Sequence, residues 1–268
     1  MKISYSCVNS LSSYLEAVNS YNTVIINYHP SLFSFLDKNS LDETKRYAYV
    51  YHESDPPSLR DGIILNTDPG SVNGIPRPLA FNDTNIYPPS NLNNPTIGSF
   101  GFGFANKNFH QIVDLVQRQF DNATLRLLMP GAAWGDASGN EARHSAEQCR
   151  QAIRKPGIKL YICHDFMTDD EIFKFLGEND LNVFLYPNYD GRRGCSSVID
   201  YVLGVNRPFA ISDSHMFRHI YEDKICAYKT PLRTIIENGP IINTKYRDLW
   251  SAEKLTDRVK KLLGYNDS

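Results

Sequence analysis

Residues 96–130 read TIGSFGFGFANKNFHQIVDLVQRQFDNATLRLLMP, and this stretch decides the fold. A short β-rich run at 96–100 is followed by a glycine-rich turn. Apolar residues then recur at helical spacing from Phe109 to Phe120, and a second β-rich run follows at 125–129. Strand, helix and strand in this order form the βαβ unit from which parallel sheets are built, so the stretch predicts an α/β fold.

The same alternation extends over the rest of the chain. In the second half, further strands are predicted at 158–163, 182–186, 208–212 and 225–228. Thr168 and Glu171 have the spacing of a capping box, which predicts that a helix starts there. In the first half, fainter patterns predict strands at 2–5, 23–28, 46–51 and 62–66 and helices over 11–19 and 31–36. We therefore expect two Rossmann-like parallel-sheet domains, of which the N-terminal one is reduced.

A segment rich in Pro and Asn, residues 76–95, separates the two halves and lacks hydrophobic periodicity. Such composition is typical of an interdomain linker. The predicted domains are therefore 1–90 and 95–245. Residues 246–268 follow them and contain an amphipathic helix over 246–263, with Leu255, Val259 and Leu262 on one face, which we expect to pack back on the body.

Composition and charge narrow the function classes. The 268 residues contain 28 Lys+Arg and 30 Asp+Glu, and a net charge of −2 gives no long-range attraction for nucleic acid. The five cysteines lack C-x-x-C spacing, which argues against a disulfide framework or a zinc ribbon and fits a reducing compartment. There is no apolar leader and no run of about 20 apolar residues, so we expect a cytoplasmic protein. The histidines show no metal-binding pattern, and no metal is expected.

Two loops after predicted strands carry candidate chemistry. The first, GSFGFGFANK at 98–107, offers glycines that let the backbone approach a phosphate, and Lys107 adds a cation. The second, PNYDGRRGCSS at 187–197, offers two arginines and a serine that can cap the next helix. Taken alone, the first loop can be explained as a purely structural turn, and the second as a solvated surface loop. Because ligands bind at the carboxyl ends of parallel strands, the two loops together favour a phosphate site.

The order of these pieces resembles the donor-binding domain of GT-B glycosyltransferases of the group-1 type, which are retaining and use nucleotide sugars. The resemblance rests on residues 96–107 and on RGCSSVIDYVLGVNRPFAISD at 193–213, where a glycine loop opens a helix, an acidic residue follows, and a proline precedes a short apolar strand. It covers about 95–240. The first half resembles the acceptor domain only through NYHP at 27–30 and YVYHES at 49–54. A GT-B-like fold with a shortened N-terminal domain is implied.

The resemblance also implies an activity and a site. The protein would be a hexosyltransferase-like enzyme of polysaccharide or glycan biosynthesis that transfers a sugar from a UDP-sugar or GDP-sugar to a hydroxyl of a glycan, lipid or protein, without a cofactor or obligatory metal. The implied donor diphosphate site consists of Gly101, Gly103, Lys107, Arg193, Gly194, Cys195, Ser196 and Ser197. Asp200 would bind the ribose, and His164, Phe166 and Met167 the base. Preorganised N–H donors and a lysine would stabilise the leaving nucleoside diphosphate.

The chain departs from the family at two places. Ser99 stands where an arginine is common, and the paired carboxylates become Arg192 and Asp200, unless Asp190 fills the first place. Arg192 or Arg193 is therefore hypothesised to face an acidic or unusual sugar, and the stereochemistry stays open.

An inverting reaction would need a general base from the first half. The candidates are His29, His52, Glu53 and Asp55. We favour His52 with Glu53 as its partner, because histidine titrates near neutral pH.

Other function classes remain open at this point. The short first half is compatible with a nucleotide-sugar-binding module without transfer activity or with one subunit of a multi-subunit transferase. A sugar-nucleotide epimerase of the same architecture is a third reading. The sequence also leaves open peripheral membrane contact, a partner subunit and a homo-oligomer.

Overall fold

The computed structural model describes residues 6–27, 36, 38–51, 62–77, 90–188 and 194–265. The strands are β1 (Thr23–Asn27), β2 (Arg46–Tyr51), β3 (Ile63–Asn66), β4 (Thr96–Phe100), β5 (Ala123–Leu128), β6 (Ile158–Cys163), β7 (Leu181–Phe184) and β8 (Phe209–Ile211). The α-helices are α1 (Leu11–Val18), α2 (Phe109–Gln119), α3 (Asn140–Ala152), α4 (Asp169–Gly177), α5 (Val198–Gly204), α6 (Leu232–Asn238), α7 (Ile241–Leu249) and α8 (Ala252–Leu262).

The described residues divide into two compact units. The first contains the described residues up to Arg77, together with Gly194, Cys195 and residues 252–265. The second contains residues 90–188 and 196–251. Each unit has its own parallel sheet, with strand order β1-β2-β3 in the first and β6-β5-β4-β7-β8 in the second. The predicted α/β class with two parallel sheets is confirmed.

The first unit buries both faces of its sheet. Tyr47 and Tyr49 of β2 pack with Tyr14 and Val18 of α1. Ala48 lies between these tyrosines in the strand and therefore points to the other face, because side chains alternate along a strand. There it packs with Leu263, directly after α8, and with the partly buried apolar side of α8.

The second unit is a three-layer α/β/α sandwich, and its strands alternate between two cores in the same way. One core contains strand residues such as Ile97 and Val183 and apolar side chains of α2, α3 and α6. The other contains Phe100, Phe184 and Ile211 and apolar side chains of α4, α5 and α7. The central strands β4 and β7 are therefore buried on both faces.

Most predicted elements are observed, with ends that differ by at most two residues. The strands predicted at 46–51, 96–100 and 158–163 have the observed bounds. The capping box of Thr168 and Glu171 is also confirmed, since each side chain bonds to the other's backbone N–H. The strand predicted at 2–5 lies outside the described residues, as do most of the helix at 31–36 and residues 78–89 of the linker.

Two predicted elements are wrong. The strand predicted at 225–228 is a 3-10 turn, Asp223–Ile225, after which only Cys226 pairs with Ile211 as an isolated bridge. The N–H groups of Lys229 and Thr230 turn back to the Cys226 carbonyl at 3.0 and 2.9 Å, so the chain cannot continue along β8.

The amphipathic C-terminal helix is observed as α8, with Leu255, Val259 and Leu262 on its packed face, but the single helix predicted over 246–263 is wrong in its extent. It is divided between α7 and α8, because Trp250 leaves helical geometry while its side chain is buried in a core of the second unit. None of the described helices is long and apolar enough to span a bilayer.

Candidate functional site

The sheet of the second unit has a topological switch point between β4 and β7. The chain runs from β4 outward to β5 and β6, and then returns to place β7 on the other side of β4. The connections after β4 and β7 therefore diverge, and in open α/β sheets ligands bind in the crevice formed outside the carboxyl ends of such strands. Both loops singled out in the sequence begin at this edge.

The turn after β4 requires its glycines for shape. Gly101 has a φ of +148°, which side-chain-bearing residues rarely adopt. A Cβ at Gly103 would overlap Ala142 at the start of α3. The N–H groups of Gly101 and Gly103 donate to the carbonyls of Leu128 and Pro130 at 3.1 and 3.0 Å. Close approach of the backbone, rather than free amide donors, is thus what these two glycines offer to a ligand.

Lys107 ends the 3-10 turn Ala105–Lys107, and its ammonium lies over the ring of Tyr186, 3.9 Å from the ring centre. This is cation–π geometry. Tyr186 is buried at the carboxyl end of β7. The next residue, Asn108, is left-handed and donates its side-chain N–H to the Leu185 carbonyl at 2.8 Å. Lys107 and Asn108 thus both contact the residues that follow β7, and these contacts hold the ammonium at the switch point.

The loop after β7 is fixed at both ends by residues 212–216. Near its start, the hydroxyls of Ser212 and Ser214 donate to the carbonyls of Tyr186 and Pro187 at 2.6 and 2.9 Å. Near its end, the N–H of Ser196 donates to the Met216 carbonyl at 3.0 Å. Residues 189–193, including Asp190, Arg192 and Arg193, lie outside the described residues.

The end of this loop leads into α5. Ser196 is buried, and Ser197 is exposed at the N-cap position of α5. The expected capping hydrogen bond is not observed, because the Ser197 side chain makes none. Asp200 lies in the first turn of α5, half-buried, and its N–H donates to the Ser197 carbonyl at 3.1 Å. Gly194 and Cys195 group with the first unit.

The loop after β6 holds the three residues implied for base binding. The Nδ1 atom of His164 lies 2.8 Å from the Met129 carbonyl oxygen. Because a carbonyl only accepts, Nδ1 carries the proton, and Nε2 of a neutral ring is left as an acceptor. Phe166 is exposed and its ring centre lies 6.1 Å from that of Phe102 in the β4 loop. Met167 packs partly buried against the core that contains α4 and α5.

The loop after β5 is ordered by Asp136. Its carboxylate accepts the N–H groups of Glu141 and Ala142, in the first turn of α3, at 3.1 and 2.9 Å. These bonds, that from Ala142 foremost, lower the pKa of the Asp136 carboxyl below its usual value. The aspartate therefore ties the loop 130–139 to the helix that follows it.

Several predicted site residues thus lie at one edge of the second unit: Gly101, Gly103, Lys107, His164, Phe166 and Met167. The candidate bases His29, His52, Glu53 and Asp55 lie outside the described residues. Sequence reasoning missed Tyr186 and Asn108. Tyr186 ends the strand predicted at 182–186 and so stands at the carboxyl edge of the sheet, which was the available signal. No cluster of three or more His, Cys, Asp or Glu side chains suited to a metal occurs in the described part of the chain.

Comparison with known proteins gives similarity at the level of structure. No family model matches the sequence, and no curated protein matches it. The structure is similar to HepE (Alr3699) of Anabaena in complex with UDP-glucose, with a TM-score of 0.60 and 11% identity over 95% of this chain and 80% of that chain. For the same protein in complex with UDP, the TM-score is 0.58 and the identity 10%, over 96% of this chain and 82% of that one. The predicted GT-B-like fold is confirmed.

Proposed function

We propose that this protein binds a nucleoside diphosphate sugar and transfers the sugar to a hydroxyl of a glycan, lipid or protein. The observation that carries the proposal is the Lys107 ammonium, held over Tyr186 at the switch point between β4 and β7. The similarity to HepE, whose structure contains UDP-glucose, supports a UDP-sugar as the first donor to test.

The charge on Lys107 fits the chemistry of the leaving group. When the bond to the sugar breaks, the nucleoside diphosphate gains negative charge, and a cation positioned beforehand stabilises that charge in the transition state. Arg193 and the backbone of Gly194, Cys195, Ser196 and Ser197 would bind the distal phosphate, while Gly101 and Gly103 let the diphosphate approach the turn after β4. With these groups the reaction needs neither an obligatory metal nor a cofactor.

The remaining donor contacts follow the same edge of the sheet. Asp200, in the first turn of α5, would accept hydrogen bonds from the ribose hydroxyls. The base would lie against the loop after β6, where His164 is fixed by Met129 and Phe166 is exposed. Arg192 would face the transferred sugar. If the reaction inverts the anomeric centre, His52 with Glu53 would take the proton of the acceptor hydroxyl.

The first experiment is calorimetric titration of the protein with UDP, GDP, ADP and CDP, with and without magnesium, repeated on Lys107→Ala. We expect selective binding of one nucleotide that weakens at least about tenfold in the variant, because a charge-assisted contact is lost. Lys174→Ala, an exposed lysine on α4, is the matched control and should bind as the wild type does. Failure of all four nucleotides to bind would contradict the proposal.

Transfer is then tested with the sugar of the nucleotide that binds. The nucleoside diphosphate should be released in step with glycosylated acceptor, and only when an acceptor hydroxyl is present. Epimerised donor without an acceptor would identify an epimerase, and tight donor binding without any product would identify a binding module. Either outcome would replace the proposed activity.

A further inference from the structure

Four aromatic side chains from three loops meet at the ligand-binding edge of the second unit. They are Phe102 and Phe104 after β4, Trp134 after β5 and Phe166 after β6. The ring of Phe102 lies 5.9 Å from Trp134 and 6.1 Å from Phe166, and Phe104 lies 5.2 Å from Trp134. Trp134 is 76% exposed and Phe166 is 69% exposed. Clustered apolar side chains that stay open to solvent are a feature of interaction surfaces and ligand-binding grooves.

The loops that carry these rings are fixed to one another. The N–H groups of Gly101 and Gly103, on either side of Phe102, bond to the end of β5 and to Pro130. His164, two residues before Phe166, bonds to Met129 at the same end of β5. Since Asp136 holds the loop of Trp134 to α3, the rings stand on a preorganised support.

The same edge of the sheet combines a cluster of aromatic rings, tilted by 51–83° to one another, with a cation. The backbone N–H of Lys107 donates to the Phe104 carbonyl at 3.0 Å. The turn that carries the lysine therefore starts at one of the aromatic residues. A nucleoside diphosphate has the matching pair of features, because its phosphates are anionic and its base is a flat π system.

We propose that Trp134 and Phe102 complete the base subsite of the donor: the nucleobase stacks on Trp134, and the ring of Phe102, at 83° to that of Trp134, meets the edge of the base. This assignment rests on the proposed function and adds to it residues from two loops that the sequence did not assign to the base. Every nucleobase has a π-face, so stacking on such rings tolerates any base. The subsite should therefore contribute affinity through Trp134 and Phe102, while base selectivity comes from polar groups elsewhere.

Tryptophan fluorescence gives a direct readout. The chain has two tryptophans, and Trp250 is only 3% exposed, so a ligand that stacks on the surface changes the emission of Trp134. We expect UDP to quench this emission, and base-free pyrophosphate to leave it unchanged. Quenching that persists in Trp134→Phe would come from Trp250 and would overturn the assignment.

Affinity measurements separate this proposal from the proposed function. In calorimetric titrations, Trp134→Ala should weaken UDP binding about tenfold and GDP binding by a similar factor, while pyrophosphate binding stays unchanged. Trp134→Phe should retain most of the affinity. Tyr161→Ala, which removes another exposed ring of the same sheet, is the matched control.

The remaining outcomes show whether the stacking assignment fails alone or together with the proposed function. If UDP binds the wild type and Trp134→Ala binds it equally well, the base subsite lies elsewhere and the proposed function stands. If the variant loses pyrophosphate and UDP affinity to the same extent, Trp134 acts on the loop rather than on the base, and the stacking assignment fails. If neither UDP, GDP nor pyrophosphate binds the wild type, both proposals fail.

Discussion

At the scale of a single residue, Gly103 has no room for a side chain. An added Cβ would overlap the backbone of Ala142, which belongs to the first turn of α3 and cannot rotate away. We expect Gly103→Ala to lower the free energy of unfolding by about 1–3 kcal/mol, the usual cost of overpacking. Urea denaturation followed by tryptophan fluorescence measures this, since both tryptophans lie in the second unit.

A second glycine provides the control for this substitution. Among the residues that the structure describes, a Cβ at Gly70 would meet only the Asp68 side chain, at the ordinary distance of 3.5 Å. Gly70→Ala should therefore change stability by less than about 0.5 kcal/mol. Because Gly70 belongs to the first unit, which contains no tryptophan, its unfolding is followed by far-ultraviolet circular dichroism. Equal effects of the two substitutions would mean that the turn after β4 yields to α3 and that Gly103 is not sterically required.

Residue types at the edge of the sheet could be predicted further than their partners. Lys107 was identified from its position after a glycine turn, and the structure places its ammonium at the switch point. Its contact with Tyr186 could not be predicted, because it joins loops about 80 residues apart in the chain. The aromatic cluster around Phe102 could not be predicted for the same reason, because its members come from three loops and no local sequence pattern links them.

At the scale of an element, Asp136 stabilises the start of α3. The first N–H groups of a helix lack partners within the helix, and the Asp136 carboxylate accepts two of them. Its folded-state pKa lies below the usual 3.8, so the stabilisation is present above that value and is lost as the pH falls through the folded-state pKa. Asp136→Asn should therefore lower the melting temperature at pH 7, and the difference from wild type should shrink below about pH 4.

Thermal unfolding of both proteins between pH 3 and pH 7 tests this expectation. Asp248→Asn, which changes an exposed aspartate on α7, serves as a control that leaves α3 unchanged. A difference between Asp136→Asn and wild type that stays constant down to pH 3 would show that packing of the side chain, rather than its charge, holds the loop.

Elements were predicted well where the sequence pattern is regular, and poorly where the same apolar run could form either a strand or a turn. The strand at 96–100 is buried along most of its length, and in the strand at 158–163 the exposed Lys159 and Tyr161 alternate with more buried apolar residues. The run at 225–228 is equally apolar, but its backbone hydrogen bonds close a turn on Cys226. Apolar character predicts burial in both cases, and only the hydrogen-bond partners decide between strand and turn.

At the scale of the whole molecule, the C-terminal residues serve two cores. The periodicity of 246–263 predicted one helix, but Trp250 is buried with α7 in the second unit, whereas Leu263 is buried with Ala48 and Leu65 in the first. A sequence pattern shows that a face is apolar without showing which sheet it covers, so the break between α7 and α8 could not be foreseen. The Arg46 side chain also donates to the Leu263 carbonyl at 2.6 Å.

This division predicts that the two units lose stability separately. Leu263→Ala removes a buried side chain from the first unit alone and should cost it about 2–5 kcal/mol. Because both tryptophans belong to the second unit, tryptophan emission should keep its urea midpoint while far-ultraviolet circular dichroism shows an earlier transition. Leu232→Ala, in a core of the second unit, should move the tryptophan midpoint instead. If Leu263→Ala shifts both signals equally, the chain unfolds as one cooperative body, and α8 stabilises more than the sheet it covers.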